Sequence, residues 1–487
     1  MTDKSSTDNS RDVNGEKSPA ITRRDAIVAA GAALLATGVP LPGQIPGRSS
    51  PVIPPDPTKV QGMVPTDLGQ RSTFEKPRRF VFRALPSGES GAPLQDLRGI
   101  ITPSDLHFER HHGGIPTIDP KKYTLLVHGM CERPLKFTLD DLKRFPSVSR
   151  IHFIECSGNG VGLGPRTDRK QTPQQTDGLL STSEWTGVPL ALLFKEVGIS
   201  PDAKWFLAEG SDAARMTRSI PVEKAFDDAM IAYSQNGEAI RPEQGYPARL
   251  LLPGWEGNSN VKWIQRIEIG DRPWMTREET SKYTDPLADG TARQFSFVMD
   301  CKSLITFPAY PNVLSPGWWD VTGLAWSGRG KVTRVEVSTD RGRSWEDAEL
   351  QPTVLSKCTT RFRYLWKYNG GEAYLMSRAT DETGYVQPTR AELVAARGPG
   401  LFITTTTSDA GRSSWTATFF STRSFEDATP TRDRVECARG GRSRGSSSTL
   451  PSSAAISAEV RFRRDRHHGR YPEGRYRRPS RRSRASG

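Results

Sequence analysis

The stretch Ile151–Gly160, IHFIECSGNG, decides how the chain is read. Ile151, Phe153 and Ile154 are apolar and β-prone, as a strand buried on at least one face requires. The strand delivers an acid, Glu155, and a lone thiol, Cys156, to a corner of small residues containing Gly158, Asn159 and Gly160. A thiol in that place is an inert core cysteine, half of a disulfide, a nucleophile or a metal ligand.

The whole chain narrows these choices. Its 487 residues suffice for two or three domains with their own cores. With 25% charged and 35% hydrophobic residues the balance is that of a soluble protein. The net charge of +13 suggests a nucleic-acid partner, but residues 401–487 hold 18 Arg, no Lys and only 8 acids. Residues 1–400 carry 50 basic and 47 acidic side chains and show no basic stripe with interleaved aromatics, so no nucleic acid is expected. Five scattered cysteines (Cys131, Cys156, Cys301, Cys358 and Cys437) include no C-x-x-C, C-x-x-C-H or zinc spacing, which argues against a disulfide framework and against haem in this chain.

Upstream of the stretch, TRRDAIVAAGAALLATGV places Arg23 and Arg24 before a weakly apolar run, Ala26–Val39. That run is too short to span a bilayer, which takes roughly 20 residues. It is similar to a twin-arginine export signal, so residues 1–45 are expected to direct a folded protein to the periplasm. Residues 46–79 read as a Pro/Gly-rich linker.

From about Phe80 the pattern is globular. KYTLLVHGM, RIHFIEC, ARLLLPG and VKWIQRIEIG read as strands, and TLDDLKRF and PLALLFKEVG as helices, the first with a Thr cap and acids in its first turn. Without regular βαβ alternation, residues 80–290 are expected to form an α+β domain. FSFVMDCKSLITF, WWDVTGLAWSG, KVTRVEVSTDRGRSWEDAEL, TRFRYLWKYNG and EAYLMSRATDETG are β-runs separated by turn residues, so residues 291–400 predict an antiparallel β-sandwich.

Taken alone, Cys156 stays open between a buried structural cysteine, a nucleophile and a metal ligand. His107, His111, His112, His128 and His152, the histidines outside the tail, leave a thiol–histidine hydrolase in the inventory. Several segments together go further. FERHHGGIPTIDPKKYTLLVHG, FIECSGNG, STSEWTGVPL, EGSDAARMTRSIPVEKAFDDAMIAYSQNGEAIRPEQGYPARLLLPG and NVKW resemble, in order and spacing, the sulfite oxidase family of molybdopterin enzymes. GRGKVTRVEVSTDRGRSW is similar to that family's Ig-like dimerisation domain, and FERHH, SKYTDP and GRGKVTRVEVSTD resemble the SoxC-type molybdenum subunits of sulfane dehydrogenases. The resemblance covers about residues 80–400.

The resemblance implies that Cys156 is the thiolate ligand of a molybdenum held by molybdopterin; a soft thiolate suits such a metal, and coordination deprotonates it. It places Arg110 near the metal, where a guanidinium fork steers an oxyanion, and puts Phe108, His111 and His112 at the pterin. Asp212, Arg249, Asn260, Val261 and Lys262 match positions that hold the pterin and its phosphate, and Tyr283 a position at the active site. The implied chemistry is oxygen-atom transfer to a reduced sulfur centre, with electrons leaving to a separate c-type cytochrome. A homodimer, or a heterotetramer with a cytochrome subunit, is the implied assembly. Where sulfite oxidases often carry an arginine after the cysteine's Gly-Asn, this chain has Gly160 and Val161, and Gln244 stands where animal members have a pterin-binding histidine. One cation fewer at the mouth points from free sulfite, a small dianion, towards sulfane sulfur on a carrier protein's cysteine.

After VAARGPG the family continues with a Tyr-His strand and an Arg-Trp-x-Val pattern followed by Asp-Gly; LFITTTTSDAGRSSWTATFF stands here instead. The codons possible for Phe402–Ala417, read two nucleotides out of frame, permit that pattern. Residues 401–487 are therefore expected to be an out-of-frame translation of a GC-rich gene, or else a genuine disordered basic tail that contacts an acidic partner or membrane surface. An out-of-frame end leaves the sandwich without its last strand and makes a non-catalytic product the competing reading. Intact-mass analysis separates the two.

Overall fold

The computed structural model describes Lys59 and residues 64–395, apart from 85–86, 161–170, 288, 290, 372, 390–391 and 394, together with the pairs 409–410 and 414–415. The twin-arginine region, the start of the linker, Val161 and nearly all of the tail lie outside the described residues.

Three short strands, β1 (Phe80–Arg83), β2 (Glu89–Gly91) and β3 (Glu109–Arg110), form an antiparallel sheet. β4 (Thr124–Gly129) and β5 (Leu135–Thr138) make a hairpin that runs into helix α1 (Leu139–Arg144). The Thr cap read from TLDDLKRF is a full capping box: Thr138 Oγ1 accepts from the Asp141 N–H, and Asp141 accepts from the Thr138 N–H. The opening stretch becomes β6 (Val148–Glu155), whose last three residues are buried. Helix α2 (Pro173–Asp177), β7 (Leu180–Pro189) and α3 (Leu190–Val197) follow, then β8 (Trp205–Gly210), β9 (Thr217–Pro221), α4 (Val222–Asp227), β10 (Met230–Gln235), β11 (Glu238–Ala239), β12 (Arg249–Leu251) and β13 (Ile264–Gly270).

These strands build two sheets. One runs β5-β4-β13-β8-β9, its only parallel contact being β4 with β13; the other runs β11-β10-β7-β6, with β12 on β10. Leu125, Val127, Phe194, Phe206, Ile231 and Ile267, all 0% exposed, fill a core shared by the first sheet, β10 of the second and the helices. Burying one such side chain contributes about 1.5–3 kcal/mol, so the sheet is held by its apolar face. A wide helical turn, Glu278–Lys282, and a small pair, β14 (Asp285–Pro286) with β15 (Ala292–Arg293), lead out of this domain.

The six-stranded sheet of the second part is antiparallel, as the turn-punctuated β-runs require: β16 (Lys302–Phe307), β17 (Gly317–Trp326), β18 (Val332–Ser338), β19 (Glu346–Leu350), β20 (Thr360–Tyr368) and β21 (Met376–Asp381), in the order β16-β17-β20-β19-β18-β21. The outer strands meet, with Ser303 Oγ donating to Ser377 Oγ over 2.9 Å, so the sheet curls into a nearly closed sandwich around Val321, Val335, Phe362 and Leu375. It is the Ig-like architecture expected beside an α+β domain.

The two parts share a core. Met299, Leu304, Leu324 and Trp326 pack in one apolar cluster with Phe153, Ile154, Leu180 and Trp185. The strand that carries Cys156 is therefore backed by the sandwich.

Candidate active site

Every residue that the resemblance assigned to the site lines a single cleft. Cys156 sits at its floor, one residue beyond β6, where its N–H donates to the Leu179 C=O over 3.0 Å and continues the strand pairing. The Gly158 N–H points at Cys156 Sγ over 3.4 Å. Burial pushes the thiol up to about 11, against the smaller pull of that N–H and of Arg110, which favour thiolate. The short helical turn Gly257–Ser259 presses against this corner: a Cβ at Gly257 would stand 2.7 Å from the Glu155 carbonyl oxygen and 3.1 Å from Cys156 Cα. Only glycine permits the approach.

β3 brings Arg110 to one wall, with Phe108 buried just before it. The Arg110 guanidinium donates to the His111 C=O over 2.7 Å and lies 3.9 Å from Glu89. His111 is 5% exposed, and its Nδ1 accepts from the Gly88 N–H over 3.1 Å. That fixes the tautomer: Nε2 carries the proton and is a donor. His112 Nε2 lies 3.1 Å from Tyr283 Oη, so the two form one polar pair on the cleft wall. Desolvation, with Arg110 and Arg277 nearby, holds His112 down at about 4 and neutral; burial raises Tyr283 and keeps it a phenol.

Two cations also line the cleft, Arg249 buried and Lys262 half-buried. Arg249, 3% exposed at the start of β12, donates to the Gln244 and Asn260 carbonyls over 3.0 and 2.9 Å and stacks 5.0 Å from the Trp185 ring. Lys262 donates to the Glu243 C=O over 2.9 Å and stands 4.5 Å from the Trp263 ring. Among the described residues neither forms an ion pair. Burial presses Lys262 down to about 7 and Arg249 to about 9. A guanidinium stays protonated in proteins, so the pressure measures two desolvated charges that an anion would relieve. Arg249 Nε, buried without a hydrogen-bond partner, adds to it. Trp263 holds this part of the cleft at a positive φ of 52°, outside the usual range for a bulky residue.

Asp212, 5% exposed, closes the turn after β8, its Oδ1 accepting from the Met216 N–H. The Asn260 side chain is fully engaged with backbone: Oδ1 accepts from the Leu252 N–H over 2.7 Å, and Nδ2 donates to the Glu256 C=O over 2.9 Å. Asn260 and Val261 thus shape the cleft through the main chain, Val261 being 2% exposed.

The motif reading singles out Gln244 but not its contact, and three further features escape it. Gln244 donates from Nε2 to the Phe108 C=O over 2.7 Å and ties the two cleft walls. Behind Tyr283, Arg218 is 1% exposed; its Nε donates to Glu279 Oε1 over 2.9 Å and its guanidinium sits 5.1 Å from the Tyr283 ring. Asn258 donates to Ser157 Oγ over 2.7 Å and to Glu256, holding the Gly257 turn against the cysteine corner. His107, 0% exposed beside Phe108, also lines the cleft. Arg218 and Glu279 lie far apart in sequence, and no local pattern pairs them.

The donor set suits a metal held by a pterin better than a bare ion. Among the described residues no group of three His, Cys, Asp or Glu side chains could hold a bare ion. A metal at Cys156 must therefore bring most of its ligands, as a metal carried by an organic dithiolene does. A cleft whose lining holds one soft donor together with Arg249 and Lys262, neither in an ion pair among the described residues, fits a flat anionic cofactor of that kind.

Fold and site define a molybdopterin oxidoreductase, and comparison with known proteins agrees. Residues 112–278 match the oxidoreductase molybdopterin-binding domain family, and residues 293–398 the Mo-co oxidoreductase dimerisation domain family. The NADH nitrate reductases of Solanum lycopersicum and Nicotiana tabacum are each 32% identical over 357 residues, 61% of this chain. The chain spans only 37% and 38% of their lengths. The solved sulfane dehydrogenase SoxCD of Paracoccus pantotrophus is 42% identical, with 72% of this chain and 95% of that one covered and a TM-score of 0.68. The chain belongs to the sulfite oxidase family of molybdopterin oxidoreductases. It is an enzyme, similar across most of its described length to a sulfane dehydrogenase.

Proposed function

We propose that this enzyme oxidises sulfane sulfur borne by a carrier protein, as in thiosulfate oxidation, and passes the electrons to a c-type cytochrome in the periplasm. Assembly as a homodimer, or as a heterotetramer with the cytochrome subunit, and export by the twin-arginine route belong to the same reading. The likeness to SoxCD supports it.

The observation that carries the substrate choice is charge at the mouth. Arg110 faces Glu89, and Arg277, close to His112, is paired with Glu278. Each cation there is already offset by a carboxylate, so little field remains to concentrate a small dianion. A sulfur presented on a polypeptide is brought in by its carrier and needs less of that field.

When bound, molybdenum would supply oxygen-atom transfer to the sulfur and take up its two electrons. Cys156 would hold the metal, with Arg249 and Lys262 on the phosphate and the His111 Nε2–H directed at the pterin. Arg110 orients the oxygen atoms of the sulfur group through its N–H fork. The neutral His112–Tyr283 pair can give or accept a hydrogen bond without changing the charge of the pocket. The buried wall behind Tyr283 keeps bulk water away from that side.

The test is cytochrome c reduction by the purified holoenzyme with sulfite or with a thiosulfate-loaded carrier. The reading expects kcat/KM for the carrier to exceed that for sulfite by about tenfold or more, at least about 1.4 kcal/mol of transition-state preference. Equal or higher efficiency with sulfite would make the enzyme a sulfite dehydrogenase instead.

A further inference from the structure

Glu155 precedes Cys156 and is itself 1% exposed. Its carboxylate is fully occupied. Oε1 accepts from Asn159 Nδ2 over 2.9 Å and from Lys302 Nζ over 3.2 Å; Oε2 accepts from Trp326 Nε1 over 2.6 Å. Lys302 and Trp326 are cross-strand partners on β16 and β17, so both come from the sandwich. Lys302 is 1% exposed and also pairs with Asp177, at the end of α2, over 2.9 Å. Trp326 is 0% exposed and lies in the core that joins the two parts.

The network closes on the cysteine. Asn159 donates its N–H to the Cys156 C=O over 2.8 Å, and its Oδ1 accepts from the Leu179 N–H over 3.0 Å. The Leu179 C=O in turn accepts the Cys156 N–H. Glu155, Asn159 and Leu179 thus fix the main chain on both sides of Cys156, and two sandwich residues fix Glu155.

Stability alone is a poor reason for this arrangement. Burying carboxylates and an ammonium carries a desolvation cost, and apolar packing of equal volume is often as stable or more so. What such a network supplies is direction: each hydrogen bond fixes one atom against one partner. We propose that Lys302 and Trp326 are positioning residues for Cys156, and that the C-terminal sandwich supports the metal site from behind as well as serving assembly. The inference rests on Cys156 being the metal ligand.

The experiment compares wild-type holoenzyme with Trp326→Phe, Lys302→Met and Cys156→Ser. It measures molybdenum and pterin content, thermal midpoint, steady-state kinetics and the electron paramagnetic resonance line shape of the partly reduced enzyme. Trp326→Phe deletes one donor and no charge, and it carries the test if Lys302→Met fails to fold. The expected result is a folded, pterin-loaded Trp326→Phe with an altered line shape and kcat lowered about tenfold, KM changing by less than about twofold. A Trp326→Phe enzyme with native line shape and kcat, whatever its thermal midpoint, would make the network merely structural and overturn the inference. Should Cys156→Ser alter the line shape while Trp326→Phe does not, only the positioning role fails. Should Cys156→Ser leave it native, the ligand reading fails and this inference with it.

Discussion

The Gly88 N–H donates to His111 Nδ1, and a Cβ built on Gly88 would lie 2.1 Å from both Cε1 and Nε2 of that ring. The loop before β2 therefore sets where His111 stands and which of its nitrogens carries the proton. Gly88→Ala must displace the imidazole, at a cost of about 1–3 kcal/mol for overpacking. A lowered thermal midpoint is expected together with reduced pterin content; native pterin content would show that His111 does not touch the cofactor.

The two cleft cations give a test in which stability and binding move oppositely. Lys262→Met removes a charge that burial already disfavours, so cofactor-free protein should be as stable as wild type or more so. Pterin retention should fall about tenfold or more, since a hydrogen bond to a charged group contributes about 1.5–3 kcal/mol. Thermal denaturation and pterin fluorescence on the same samples check both halves.

Tyr283 and Arg218 should separate in the same way. Tyr283→Phe loses its bond to His112, about 0.5–1.5 kcal/mol, and should lower kcat/KM with little change in melting. Arg218→Met strands Glu279, which is 0% exposed, and should cost about 3–5 kcal/mol. Equal melting of the two variants would remove the argument that Arg218 supports Tyr283.

Acid should destabilise the fold through its neutral histidines. Desolvation holds His107 at about 3 and His152 at about 4, against 6.5 when unfolded. Below pH 6.5 the unfolded chain takes up protons that the folded one refuses. Stability is therefore full above 6.5 and falls with pH by up to about 1.4 kcal/mol per unit for each histidine, levelling below the folded values. Urea midpoints at pH 7.5 and 5 should show the loss, and His107→Phe should reduce it. A pH-independent midpoint would contradict the burial of these rings.

The elements that place the site were legible because each has a local signature. Thr138 with Asp141 marked a helix start, and the apolar, β-prone run to Glu155 marked a strand. The family motifs then brought Cys156, Arg110, Lys262 and Tyr283 to one cleft, though they lie far apart in sequence. What stayed hidden was pairwise and long-range. Glu155 with Trp326, Arg218 with Glu279 and Gln244 with the Phe108 carbonyl depend on tertiary packing that no periodicity encodes. Asn260 shows the converse: its motif position suggests a cofactor ligand, while its amide is engaged by the backbone.

The central claim is that Cys156 delivers a thiolate to a pterin-held molybdenum. Molybdenum X-ray absorption of the purified holoenzyme and of Cys156→Ser tests it most directly. The account predicts one sulfur neighbour fewer around the metal in the variant, with pterin still bound by Arg249 and Lys262. An unchanged sulfur count would contradict it.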